Sequence, residues 1–226
     1  KRKDRYRLYL SIARPDSLFI TDLQEKFQTA GIEVKNSNLG QLPETTWFHY
    51  PSDYLGDIVH SLNVRSDNLY AESVLRLLSL SDHEKGSAEK GIDIIRKYWQ
   101  NYEADSLELF MYDGSGLARN NKVSAKYLNC VLKETARDSL IGEYFVQTLP
   151  LAGKEGSVAT IIKHGELPGE LRLKSGSMSD VHAYAGYYTT PQNRYAIVVM
   201  INNYTCTRAQ LKQKISTLLT QVLSKK

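Results

Sequence analysis

Across 226 residues the chain holds only two cysteines and six prolines, and its net charge is no more than +4. Two thiols, Cys130 and Cys206, cannot build a disulfide framework, and their separation excludes a Cys-x-x-Cys redox or metal motif. Both read as isolated, mostly buried side chains. The five histidines (His49, His60, His83, His164 and His182) show no His-x-x-x-His or comparable spacing, so neither a structural zinc nor any other metal or cofactor is expected. The charge surplus comes from 29 basic against 25 acidic residues. Without a basic patch interleaved with aromatics, nucleic acid is not an expected partner. No apolar run approaches the roughly 20 residues that cross a bilayer. The longest strongly apolar run, AIVVMI at 196–201, has the length of a strand. The first residues, KRKDR, lead into alternation and not into an apolar segment, so they do not read as a signal peptide; this says nothing of compartment. There is no internal repeat, no low-complexity linker and no obvious domain boundary.

With 42% apolar and 24% charged residues, the chain can bury a sizeable core. RYRLYLSI at 5–12 approaches strand alternation. After Pro15, Leu18, Phe19, Leu23 and Phe27 fall at helical spacing, and Gly31 sits where a left-handed cap closes a helix. Residues 37–46 read as a loop. Helices are expected over 54–62, 69–79 (Val74, Leu75 and Leu78 inward) and 86–102, then over VSAKYLNCVLKETA, with Val123, Tyr127, Cys130 and Val131 on one stripe. ELFMYD, ending at Asp113, reads as a short strand. From Glu170 the period changes to two, giving strands at 170–173, about 181–188 and 195–201, and 205–223 closes the chain as a helix. Helices in the middle and an antiparallel meander at the end predict an α+β fold.

Three polar constellations interrupt this pattern. Lys174-Ser175-Gly176 falls where the first strand of the meander should run on smoothly. A glycine weakens a strand unless something must approach the backbone closely. An edge strand with a cation, a hydroxyl and an open backbone suits an extended peptide ending in a carboxylate, which adds to the edge by main-chain hydrogen bonds. Ser66-Asp67-Asn68 is the second. Ser66 and Asn68 can serve one site only from a bent connection between two helices, since positions two apart on a helix point nearly opposite ways. A plain N-cap explains one of these three residues. The third, Asp113-Gly114-Ser115-Gly116, is a tight bend. It is neither a Gly-x-Ser-x-Gly nucleophile elbow nor a phosphate loop.

Taken in order, SDN, DGSGLARNN, LPLAGKEGS, LKSGSMSDVHAYAGYY and YAIVVMINNY resemble the low-molecular-mass class C penicillin-binding proteins. These are serine D-alanyl-D-alanine carboxypeptidases and endopeptidases with a β-lactamase/transpeptidase-like fold. The resemblance runs from about Ala13 to the C-terminal helix. Class A β-lactamases share the fold and two of the motifs, but DGSGL and LPLAG point away from them. The resemblance implies that Ser66 relays a proton and that Asn68 holds the catalytic lysine and the substrate amide. It implies that Lys174 and Ser175 bind the terminal carboxylate, with Ser175 where the family usually has Thr. Gly176 leaves the strand backbone open to the substrate, and the N–H of Ser177 forms half of an oxyanion hole. Asp113 to Gly116 shape the site. The implied partners are peptidoglycan stem peptides and β-lactams, in the periplasm or another extracytoplasmic place at the cell envelope.

One motif departs. The family's nucleophile is the Ser of a Ser-x-x-Lys upstream of Ser-Asp-Asn. The only such motif here is Ser87-Ala88-Glu89-Lys90, downstream of Ser66, where Ser87 reads better as a helix N-cap. An acyl-enzyme cycle needs a serine with an adjacent base. The expectation is therefore a C-terminal part of a longer enzyme, spanning 1–226 without a placed internal boundary, whose N-terminal part carries the nucleophile. Two other readings stay open: a non-catalytic relative that binds wall peptides, and a class A β-lactamase-like hydrolase.

Overall fold

The computed structural model describes residues 14–34, 51–80, 85–102 and 108–226. The strand expected at 5–12 and the loop expected at 37–46 lie outside the described residues. The chain divides into two compact units, Lys1–Pro51 and Ser52–Lys226. In the first, helix α1 (Pro15–Thr29) starts with Pro at its first turn, and Gly31 follows it at φ +73°. There the N–H of Ile32 bonds the carbonyl of Phe27, the closing contact that a left-handed glycine makes possible.

In the second unit come α2 (Leu55–Arg65), α3 (Asn68–Leu77) and α4 (Ala88–Gln100), then the two-residue strands β1 (Leu109–Phe110) and β2 (Lys122–Val123). Helices α5 (Ala125–Arg137) and α6 (Gly142–Thr148) lead through the 3-10 turn Gly156–Val158 to a meander of β3 (Glu170–Met178), β4 (Val181–Thr189) and β5 (Arg194–Asn202). Helix α7 (Arg208–Leu223) ends the chain. The sheet order is β3-β4-β5, antiparallel throughout, so β3 is an edge. The α+β expectation stands.

The pleat sorts the core. Leu171, Leu173, Tyr184 and Tyr188 face one side, where Leu211, Ile215, Leu219 and Leu223, one per turn of α7, close over them with Val158, Ile161 and Ile162. Tyr187 faces the other side, against Leu132 of α5 and Val146 and Leu149 at α6. Its hydroxyl donates to the carbonyl of Leu132 at 2.7 Å, satisfying a buried phenol that burial pushes well above its ordinary pKa. Sheet and helices are thus locked together on both sides of β4.

Capping residues set the helix starts. Asp67 accepts from the N–H of Tyr70, Ser124 from that of Tyr127, and Thr207 forms a capping box with Gln210. Several expectations need correction. β3 does not stop at 173 but runs through Lys-Ser-Gly to Met178, because β4 continues to pair with it up to Met178 opposite Val181. The strand expected to end at Asp113 is only two residues long. Leu78 is 47% exposed and not inward, since α3 has ended before it. Val123 belongs to β2 and not to the stripe of α5, and both cysteines are half-buried.

Leu173 is completely buried one residue before the polar stretch. Leu173→Ala should destabilise the folded chain by about 2–5 kcal/mol, read by urea unfolding, as expected of a large-to-small change in a tight core.

Candidate functional site

Helix α2 ends at Ser66, which adopts a left-handed backbone at φ 55° and ψ 49°. Glycine is the residue that takes this conformation without strain; a serine kept there carries a steric cost, and such costs gather at functional positions. The next residue, Asp67, is the N-cap of α3, so its polarity is accounted for by capping. Asn68 is the first residue of α3 and is exposed. The bent connection expected for Ser-Asp-Asn is there.

Across from it lies the edge of β3. The ammonium of Lys174 donates to Ser66 Oγ at 2.8 Å and to the carbonyl of Ser175 at 2.8 Å. Residues 108 positions apart meet at this one nitrogen. Among the described residues no carboxylate pairs with Lys174. Burial alone pulls its pKa below the ordinary lysine value. An ammonium has three donors, and two are engaged with neutral oxygens. The third is left for an incoming group, and a half-buried cation without a counter-ion favours an anion there.

The edge itself is half closed. The carbonyl of Leu171 accepts from the N–H of Ala152 at 2.8 Å, and the N–H of Leu173 donates to the carbonyl of Pro150 at 3.0 Å. By the two-residue repeat, the backbone groups of Ser175 and Ser177 point to the same outer edge. Beyond Leu173 no strand pairs with that edge among the described residues, and the carbonyl of Ser175 takes only the Lys174 ammonium. A Cβ placed on Gly176 would meet nothing within 4 Å, so the space above it is free. An extended peptide could continue the pairing where residues 150–152 leave off.

Asp113 to Gly116 border the far end of this edge. A cavity of about 630 Å³ is bounded by Asp113, Gly114, Gly116, Arg119, Gly176 and Ser177, among others. The Asp113 carboxylate accepts from the N–H groups of Gly116 and Ala118 and from the Asn121 amide, at 2.6–2.8 Å. It is engaged by three donors in bending the loop. Glu72 of α3 accepts from the N–H groups of Gly114 and Ser115, both at 3.0 Å, and so ties the bend to the helix that begins at Asn68. Ser87 caps α4 with its side chain, and its backbone N–H and carbonyl both bond the Ser79 hydroxyl.

Over residues 1–225 the chain matches the family described as D-Ala-D-Ala carboxypeptidase 3 (S13). It belongs to that family. Among similar proteins is the D-alanyl-D-alanine carboxypeptidase DacB of Haemophilus influenzae, 26% identical over 216 residues, covering 92% of this chain and 44% of the relative. Another is the penicillin-sensitive carboxypeptidase A of Dictyostelium discoideum, 24% identical over 184 residues, covering 77% of this chain and 35% of the relative. The crystal structure of penicillin binding protein 4 (dacB) from Haemophilus influenzae, complexed with a β-lactam, superposes with a TM-score of 0.72 at 23% identity, covering 95% of this chain and 52% of that one. That likeness speaks for the fold. The chain thus spans less than half the length of these two curated relatives.

Of the residues that the resemblance to class C penicillin-binding proteins singled out, Ser66, Lys174 and Ser175 are brought into contact. Gly176 and Ser177 line the adjoining cavity. Asn68 stands two residues from Ser66, and no hydrogen bond joins its side chain to Lys174 among the described residues. Two neighbours went unassigned in the sequence. Glu72 gives no motif signal. Ser157, whose Oγ lies 2.5 Å from that of Ser175, ends the quoted LPLAGKEGS, which was its one available sign.

The burial of Lys174 has a consequence for stability. Its pKa in the folded chain is below the free value of 10.5. The unfolded chain therefore holds the proton more tightly, and stability rises with pH between the folded value and 10.5. Below the folded value both states are charged, and the burial cost persists unchanged. Relative to Lys174→Met, the wild-type chain should gain stability in urea unfolding as pH rises from the folded value toward 10.5 and show a flat difference below the folded value. A difference that stays flat up to 10.5, or falls, contradicts a buried, unpaired ammonium.

Proposed function

We propose that these residues form one wall of the active site of a serine-type D-Ala-D-Ala carboxypeptidase or endopeptidase, acting on peptidoglycan stem peptides through an acyl-enzyme. The observation that carries the reading is the Lys174 ammonium, bonded to Ser66 beside an open strand edge. A peptide lying along the edge of β3 would present its terminal carboxylate to the Lys174 ammonium and the Ser175 hydroxyl. The N–H of Ser177 points to the same edge and would donate to the oxyanion that forms on the scissile carbonyl. Losing one such donor costs about 100- to 1000-fold in rate in other enzymes.

Ser66 accepts from Lys174, which leaves its own hydroxyl proton free to travel to the departing amine. In balance, the nucleophilic serine gives its proton to the adjacent lysine and bonds to the carbonyl carbon, the C–N bond breaks, and the amine leaves with that proton, passed on through Ser66. Water then cleaves the ester and restores the serine. Asn68 would steady the catalytic lysine and the substrate amide. The nucleophile and its lysine belong to sequence outside these 226 residues, an inference that the short span relative to the curated relatives supports. Ser87 caps α4, which supports reading it as a structural residue and not as that group.

β-Lactams, whose carboxylate copies the terminal D-Ala, would acylate the full-length protein. The setting is extracytoplasmic, at the cell envelope or in the periplasm, where such peptides are found. Labelled penicillin should acylate the full-length protein and leave the 226-residue chain unlabelled. Labelling of the short chain would mean that the nucleophile lies within it; no labelling of the full-length protein would favour a peptide-binding relative. Lys174→Ala in the full-length protein should lower kcat/KM for a D-Ala-D-Ala peptide by about 100-fold or more, the loss expected when a charged hydrogen-bond partner is truncated. The fold should persist, because the side chain lies at an edge and not in the core.

A further inference from the structure

We propose that Ser157 is a positioning residue for the carboxylate site, holding the Ser175 hydroxyl so that its proton faces the incoming anion. The inference rests on the carboxylate-docking reading above. The two side-chain oxygens are 2.5 Å apart, at the short end for a hydroxyl pair. Each hydroxyl has one proton and two acceptor positions. One must donate to the other, and the pair keeps a single proton for a third partner. When Ser157 donates, that proton is on Ser175, the residue whose backbone carbonyl takes the Lys174 ammonium. A carboxylate in front of them accepts from both, and charge on the acceptor strengthens the chain of bonds behind it.

Ser157 is exposed, but it is not a loose surface serine. It is the middle residue of the 3-10 turn Gly156–Val158, and the turn is pinned on both sides. Val158 is completely buried in the sheet core, and its carbonyl accepts from the N–H of Gly153 at 3.1 Å. Gly156 has φ +51°, and a Cβ there would lie 2.4 Å from the carbonyl oxygen of Val64, two residues before Ser66. The Glu155 carboxylate accepts from the N–H of Leu151 at 2.8 Å, closing the loop on the segment that pairs with β3. The turn is therefore wedged between the end of α2 and the edge of β3. It delivers Ser157 to the point where residues 150–152 cease to pair with that edge. With Ser in place of the family's usual Thr at 175, the hydroxyl lacks the methyl group that restricts its rotamer. A neighbouring hydroxyl supplies the orientation instead.

The test uses the full-length protein and two substrates, a D-Ala-D-Ala peptide with a free carboxylate and the same peptide as its C-terminal amide. Ser157→Ala should raise KM for the free acid about tenfold, because the Ser175 hydroxyl that it orients loses its hydrogen bond to the carboxylate, with kcat changed less than about threefold. Cleavage of the amide should be unchanged, and Ser157→Thr should restore the wild-type preference. Equal losses on both substrates would reduce Ser157 to a structural tie and overturn the proposal, as would no change on either. A wild-type protein with no preference for the free acid would instead overturn the carboxylate-docking reading itself, and this inference with it.

Discussion

The ammonium of Lys174 reaches from the edge of an antiparallel sheet to a serine held in left-handed backbone between two helices, and the rest of the site is arranged around that contact. Neither end is cheap. Ser66 occupies a region where a side chain is strained, and Lys174 loses hydration without gaining a carboxylate among the described residues. Structural needs are met more simply by glycine at a helix end and by an apolar or solvated residue on an edge. Two costs converge at 2.8 Å, beside a stretch of strand edge that has no strand partner among the described residues, and this is why we propose a site there.

Packing on both faces of the sheet holds that distance. Buried tyrosines on both faces of β4 fasten the sheet to α7 on one side and to α5 and α6 on the other. Glu72 anchors the Asp113–Gly116 bend to α3, and the 3-10 turn at 156–158 braces the end of α2 against β3. Helix connection, bend and turn come from separated parts of the sequence, yet each meets the same few residues of one strand. A rigid frame with an open edge is what recognition of an extended peptide requires, because the entropy of ordering the receptor has already been spent in folding.

Much of this was legible in the residues. The change of period at Glu170 revealed the meander, and the caps read at Ser87 and at one residue of Ser-Asp-Asn are true helix caps, the latter at Asp67. Placing Ser66 on a bend followed from the geometry of residues two apart, without any knowledge of its partner. Other features were hidden for physical reasons. The strand pattern stops at Leu173 in the sequence, whereas cross-strand pairing carries β3 on through Gly176, opposite Ala183; tertiary pairing outweighs local propensity. The Ser157–Ser175 contact, and Glu72 beneath the Asp113 bend, depend on chain segments meeting in space and leave no periodic trace. Leu78 fits the helical stripe but falls just after α3 stops.

The central claim is that the open end of β3 grips the carboxyl terminus of a D-amino-acid peptide beside the Ser66–Lys174 contact. A crystal structure of the full-length protein with a peptide boronate ending as D-alanine does addresses it most directly. The account predicts the ligand backbone hydrogen-bonded to Ser175 and Ser177, its carboxylate on Lys174 and Ser175, and the Ser66–Lys174 bond intact. A ligand seated elsewhere, with this edge unoccupied, would contradict it.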